Sequence, residues 1–373
     1  MGRIEKGAVR LISVLLIIIS VTGISFIWTR QGTDLMARYR LKSKNGSLMK
    51  YIGRENKHEN AITSLHSLCI RLPKSLSQSA VSIKSDSRFK EYHITIPSVS
   101  SSYFADYPVS GNGRSIKSLK YQMSGRGAVL TLTTTKPLFI KKSSDSSYLF
   151  FDFKEPRKCF DKVVLVDAGH GGSDRGTVAG GVSEKDISLS IVKYFKHFTD
   201  KKAVTEVKEY GTNLTSMKIK GVGKVGFFYT RLSDKTISDK DRIEEAKKIG
   251  ADLFLSVETG STASGRESEI NGAQVLYRGS DKTSRSRKFA DTVLKKLLSG
   301  LKCEDRGSIA GDEHYIVSAS KIPVAIAEVG FITNKAERKK LVTADYQKKA
   351  AKALVEAVSE YLSDSGHKSS RKS

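Results

Sequence analysis

The chain has 373 residues, 39% of them hydrophobic, and a formal net charge of +25; that is room for two ordinary domains with polar connections. Its three cysteines, Cys69, Cys159 and Cys303, form no CxxC pair, which speaks against a cysteine-rich zinc module and a disulfide-dense scaffold. The basic surplus favours anionic partners, and no RNP, helix-turn-helix or finger motif directs it to nucleic acid.

Leu11 to Trp28 carries no charge and is rich in Ile, Val and Leu. As a helix it covers about 27 Å, close to a ~30 Å hydrocarbon core. Arg3, Lys6 and Arg10 precede it and favour a cytoplasmic N-terminus. No A-x-A site follows and the run is long for a signal core, so an uncleaved anchor is expected over a cleaved signal peptide. Either reading exports the rest. Residues 1–30 therefore read as a cytoplasmic stub and transmembrane helix of a single-pass protein of the cell membrane. Residues 31–67, basic and polar, read as a linker.

Residues 68–158 change to short β-like runs: Ala80 to Lys84, Tyr92 to Ile96, Val129 to Thr133 and Tyr148 to Phe153. Ser- and Gly-rich turns separate them, which predicts a small antiparallel β domain. It holds no His, Asp and Glu cluster with catalytic spacing, so it reads as a binding or positioning module. Cys69 and Cys159 bracket it, and a disulfide between them is a hypothesis.

From 162 to 362 strands and helices alternate, the signature of an α/β domain with a mixed sheet flanked by helices. Val163 to Val166 is an apolar run that breaks into a glycine-rich loop carrying Asp167 and His170 and ends at Glu184. Glycines 169, 171 and 172 let that backbone fold closely around His170. The spacing fits neither GxGxxG nor GxxxxGK[ST]. A His at a strand end and a carboxylate at the next helix start suit a metal site.

A helix from Glu184 presents Ile187, Ile191, Val192 and Phe195 on one face. Lys201 to Lys224 is long for an αβ connection, and VTEVKEYG with TSMKIKG predicts a hairpin. Strands follow at 225–229, 252–257, 273–277 and 324–329, with helices at 239–249, 288–301, 335–341 and 345–362. The polar stretch 261–270 reads as a mobile loop, and 363–373 as a disordered tail. Arg231 and Arg242 are expected to pair with Asp residues. His314, before what reads as an apolar strand, is either an ordinary surface His or a substitute metal ligand.

The segments VVLVDAGHGGSDRG, SEKDISL, FFYTRLSD, ADLFLSV and PVAIAEVGFITN, in that order, resemble the zinc-dependent N-acetylmuramoyl-L-alanine amidases. The order and strand pattern of 68–158 resemble the AMIN-type domains that precede cell-wall amidases. The resemblance implies a hydrolase that cuts the N-acetylmuramoyl–L-alanine amide of peptidoglycan by metal-activated water. It implies that His170 and Glu184 hold Zn2+ and that Glu328 is the catalytic base.

One position departs. The family reads S-I-H-x-N where this chain has Ser256-Val257-Glu258-Thr259-Gly260. Glu258 stands in place of the second ligand His, and Gly260 in place of Asn. Zinc accepts carboxylate oxygens, so His170, Glu184 and Glu258 are the expected ligand set, for zinc or another divalent metal. The alternative is a degenerate amidase fold that holds no metal and binds wall or regulates another hydrolase. The implied partners are peptidoglycan and anionic wall polymers or a membrane surface, not nucleic acid.

Overall fold

The computed structural model describes residues 45–49, 65–85, 90–100, 102–125, 127–136, 138–145, 147–201 and 214–369. The expected anchor, 11–28, and most of the linker lie outside these residues. Among those described, no helix is long and apolar enough to cross a membrane. Two compact units are distinguished, one drawn from the described residues of 1–82, 94–132 and 143–150, the other from those of 83–93, 133–142 and 151–373.

The N-terminal region contains β1 (Asn45–Ser47), β2 (Leu68–Arg71), β3 (Ser82–Ser85), β4 (Glu91–Pro97), a one-turn helix α1 (Tyr103–Asp106), β5 (Ile116–Ser124), β6 (Gly127–Thr134), β7 (Phe139–Ser144) and β8 (Tyr148–Lys154). They form a five-stranded sheet, β1-β5-β6-β4-β3, and a three-stranded sheet, β2-β8-β7. In β4, Tyr92, Ile94 and Ile96 alternate inward, the period of a half-buried strand. β5 escapes the sequence pattern because its buried residues, Ile116, Leu119 and Tyr121, break that period.

The second unit continues with β9 (Lys162–Ala168), β10 (Val178–Ala179), β11 (Val182–Ser183), α2 (Glu184–Lys201), β12 (Leu214–Ile219), β13 (Gly223–Tyr229), α3 (Asp239–Ile249), β14 (Leu253–Gly260), β15 (Ala273–Tyr277), α4 (Arg285–Leu301), β16 (Asp305–Ala310), α5 (Tyr315–Ala319), β17 (Val324–Phe331), α6 (Lys335–Leu341) and α7 (Ala344–Ser369). Seven strands form one mixed sheet, β12-β13-β9-β14-β17-β15-β16. The four central strands are parallel, β12 runs antiparallel to β13, and β15 runs antiparallel to β17 but parallel to β16.

Both sheet faces are covered. Val164 and Val166 of β9 share a core with Ile187, Ile191 and Phe195 of α2, Phe289 and Val293 of α4, and Leu354 and Val358 of α7. Val163 and Leu165 share another with Ala246 and Ile249 of α3, Ile316 and Val317 of α5, and Ile326 of β17. Burial on two sides is why β9 reads as an unbroken apolar run. Ser238 caps α3 by accepting from Asp241 N, and Asn334 caps α6 by accepting from Ala336 N and Glu337 N; each satisfies N–H groups that the helix leaves open.

Several expectations are corrected. TSMKI does lie in a hairpin, but its partner is β13; 202–213 lie outside the described residues. The residues after His314 form the helix α5, not a strand, because Val317 N and Ser318 N both turn back to His314 O. The β16 strand was not expected: it is a polar edge strand with no inward alternation. Loop 261–270 is tied down, with Thr262 N and Ser268 N on Thr333 and Glu267 paired with Arg338. α7 runs on to Ser369, since extending a formed helix adds one hydrogen bond per residue; the rest of the expected tail, 370–373, lies outside the described residues. Cys69 and Cys159 are thiols rather than a disulfide; Cys69 is buried within β2, and Cys159 ends the turn before β9.

Phe160 lies over Gly226 of β13: a Cβ there would sit 2.6 Å from its ring. The same ring meets Phe228 edge-on at 6.4 Å. Gly226→Val is expected to cost about 1–3 kcal/mol by overpacking, read as a lower denaturant midpoint.

Candidate metal centre

The loop after β9 is held by two buried guanidinium groups. Asp167 is fully buried, and one oxygen accepts from Arg242 Nη1 and Thr230 Oγ1. Arg242 also donates to Ala168 O at 3.1 Å and His170 O at 2.7 Å. Arg231 donates to Ala168 O at 2.8 Å and, through Nη2, to Gly169 O at 2.7 Å and Lys185 O at 2.9 Å. Three successive carbonyls thus accept from two side chains. Of the two, Arg242 makes the expected aspartate pair, whereas Arg231 donates to carbonyls.

The clamp holds His170 at φ 61°, a left-handed conformation costing a non-glycine residue about 1–2 kcal/mol. Its Nδ1 lies 2.9 Å from Asp174 Oδ2, and its Nε2 lies 3.3 Å from Glu184 Oε2. Glu184, nearly buried, opens α2. Its Oε2 accepts from Thr177 N at 3.0 Å and its Oε1 from Thr259 N at 2.8 Å. Glu258, half-buried on β14, reaches the same place. Donor atoms of His170, Glu184 and Glu258 all lie within 4.8 Å of one another.

Glycines make room for this convergence. A Cβ on Gly169 would come within 2.5 Å of Glu258 Cγ, and one on Gly176 within 2.7 Å of both Glu184 Oε2 and His170 Cδ2. The donor set fits a divalent cation. Asp174 engages Nδ1, the usual second partner of a ligating imidazole, and leaves Nε2 facing carboxylate oxygens. Two carboxylates and a neutral imidazole match a +2 charge and known zinc donors.

Metal-free, the cluster is electrostatically crowded. Burial, then the charge of Glu184, pushes the Glu258 carboxyl up to about 8 despite His170 nearby. Burial opposes the charged form of His170, but bonding to and the charge of Glu184, followed by Glu258 and Asp174, carry it up to about 10. Ser256 Oγ lies 2.9 Å from Asp167 Oδ2 and 3.0 Å from Glu258 Oε1. Its single proton serves only one of them, so the metal-free contact is best satisfied by a protonated Glu258.

Glu328 stands beside this group. It pairs in parallel register with Glu258 of β14 and in antiparallel register with Gln274 of β15. Gln274 Nε2 donates to Glu328 Oε2. Burial pushes the Glu328 carboxyl up to about 7, with Gln274 working against the rise and Glu184 adding to it. A carboxyl near neutrality suits proton transfer in both directions. His314, the N-cap residue of α5, is not among the grouped metal donors. Sequence reasoning missed Gln274, Ser256 and Asp174. Only Asp174 left a signal, as an acid four residues after the His.

Residues 164–212 and 207–360 match the family model for N-acetylmuramoyl-L-alanine amidase. An uncharacterized protein, YqiI, of Bacillus subtilis is 32% identical over 54% of this chain and 84% of its own length. The N-acetylmuramoyl-L-alanine amidase LytC of Bacillus subtilis is 28% identical over 54% of this chain but only 35% of its own. A solved N-acetylmuramoyl-L-alanine amidase from Clostridium difficile 630 is 27% identical, covering 54% and 96%, with a TM-score of 0.45.

The raised pKa values fix the sign of a pH effect. Glu258 and Glu328 hold protons in the folded state that the unfolded chain releases, so their ionisation penalty grows as pH rises towards 8. The stabilising charge of His170 is present at low pH and is lost as pH rises towards 10. All three act in one direction. The thermal midpoint of chelator-treated protein is expected to fall between about pH 5 and 8, and Glu258→Gln is expected to flatten that fall.

Proposed function

The chain belongs to the N-acetylmuramoyl-L-alanine amidase family, and on that premise we propose that it hydrolyses the amide between the lactyl group of muramic acid and L-alanine in peptidoglycan. The observation that carries the reading is the gathering of His170, Glu184 and Glu258 with Glu328 in register beside them. A divalent cation on the first three, zinc in the family pattern, would acidify water and polarise the amide carbonyl.

The chain's own groups do the rest. Glu328 accepts a proton from the attacking water as the water oxygen bonds to the amide carbon. It returns a proton to the nitrogen as the C–N bond breaks, leaving a carboxylate and a stem peptide with a free amino end. Asp174 sets the tautomer of His170. Arg231 and Arg242 keep its loop from shifting.

Residues 11–28 serve as a single-pass anchor that keeps the enzyme outside the cytoplasm; their uncharged, apolar run supports this. The AMIN-like region positions the enzyme on the wall. The +25 charge supports contact with anionic wall polymers or the membrane surface. A second reading, a non-catalytic wall binder on the same fold, is favoured by the Glu258 replacement alone.

Incubating the full chain with purified peptidoglycan and measuring released amino ends separates the two. Glu328→Gln is expected to lower release at least ~100-fold while wall binding is unchanged. Undiminished release in that variant would remove the base. No release by the wild type, together with sub-stoichiometric metal in the purified protein, would leave the binder. Glu258→His is expected to tighten zinc binding; unaltered affinity would mean that residue 258 does not face the ion.

A further inference from the structure

Resting on the amidase reading, a further role falls to a residue outside both the ligand set and the reacting atoms. We propose that Gln274 is a positioning residue for the base: its side-chain N–H holds Glu328 Oε2, so the proton in transit is carried on Oε1.

The argument starts from the sheet. Glu258, Glu328 and Gln274 occupy one row across the adjacent strands β14, β17 and β15. In-register side chains share a face and stand within reach of one another. The base is thus flanked by a carboxylate on one side and an amide on the other. Gln274 is half-buried and donates through Nε2 to Glu328 Oε2.

A carboxyl group has two oxygens, and an amide N–H can only be given to one that accepts. While the N–H is given to Oε2, that oxygen stays an acceptor whether Glu328 is charged or neutral. The carbonyl oxygen of a neutral carboxyl is a better acceptor than its hydroxyl oxygen, so the captured proton is favoured on Oε1, and the carboxyl plane is held against rotation. Without the donor, either oxygen could take the proton, and part of the population would hold it facing β15. A glutamate at 274 would be worse. It matches glutamine in shape but, when ionised, offers only acceptors and makes a third acid in the row.

The test uses the full chain with zinc added and purified peptidoglycan as substrate. Gln274→Met keeps the length and loses the donor; Gln274→Glu keeps the shape and reverses the polarity. Both are expected to lower kcat about tenfold or more, as the loss of an orienting partner does, with KM and zinc affinity by calorimetry unchanged. Thermal unfolding identifies either variant that fails to fold, and the other then decides. A kcat equal to wild type in a folded variant, or a loss carried by KM, would overturn the assignment while leaving the amidase reading in place. An inactive wild type would remove both.

Discussion

The Arg242–Asp167 pair is the constraint on which the rest of the centre depends. Both side chains are almost wholly buried. Burying charges costs several kcal/mol per ion unless their remaining hydrogen-bonding capacity is met. Here Asp167 accepts from Arg242, Thr230 and Ser256, and the arginines donate to loop carbonyls, with Arg231 Nη1 and Arg242 Nε left without a hydrogen-bond partner among the described residues. A charge pair that would otherwise be a liability becomes a bracket. It holds the turn that lifts His170 off the sheet edge and the serine that touches Glu258.

The same bracket bears on Glu258. Asp167 and Ser256 face each other across β9 and β14, and Glu258 lies two residues further along, on the same side. A carboxylate at 258 thus meets a hydroxyl already committed to an aspartate, and the charge of Arg242 responds to it as well. The buried guanidinium groups of Arg231 and Arg242 offset part of the acidic charge of Asp167 and Glu258.

Much of the fold was legible because it rests on local rules. The bounds of α3, β15 and α6 follow from their apolar patterns, with Ser238 and Asn334 as caps for the two helices. His170 and Glu184 were readable because one follows a strand and the other opens a helix, whereas Glu328, inside β17, was marked only by the family-like segment PVAIAEVGFITN. The misses share a cause. β16 is an edge strand whose residues face water; α5 is a single short turn set by hydrogen bonds to His314 O. Gln274 acquires meaning only from its neighbour across an antiparallel pair, and pairing between distant strands leaves no trace in local spacing.

The position of α7 has a temporal side. It packs against both α2 and α4 and shares the core beneath them. Yet it follows every other described element of this unit in chain order. A nascent chain that stops short of residue 344 already contains His170, Glu184, Glu258 and Glu328, but lacks the apolar surface that seats the helix beginning at Glu184. Assembly of the centre therefore waits for the synthesis of α7, and a product terminated before it carries the complete set of chemical groups without the helix that packs behind them.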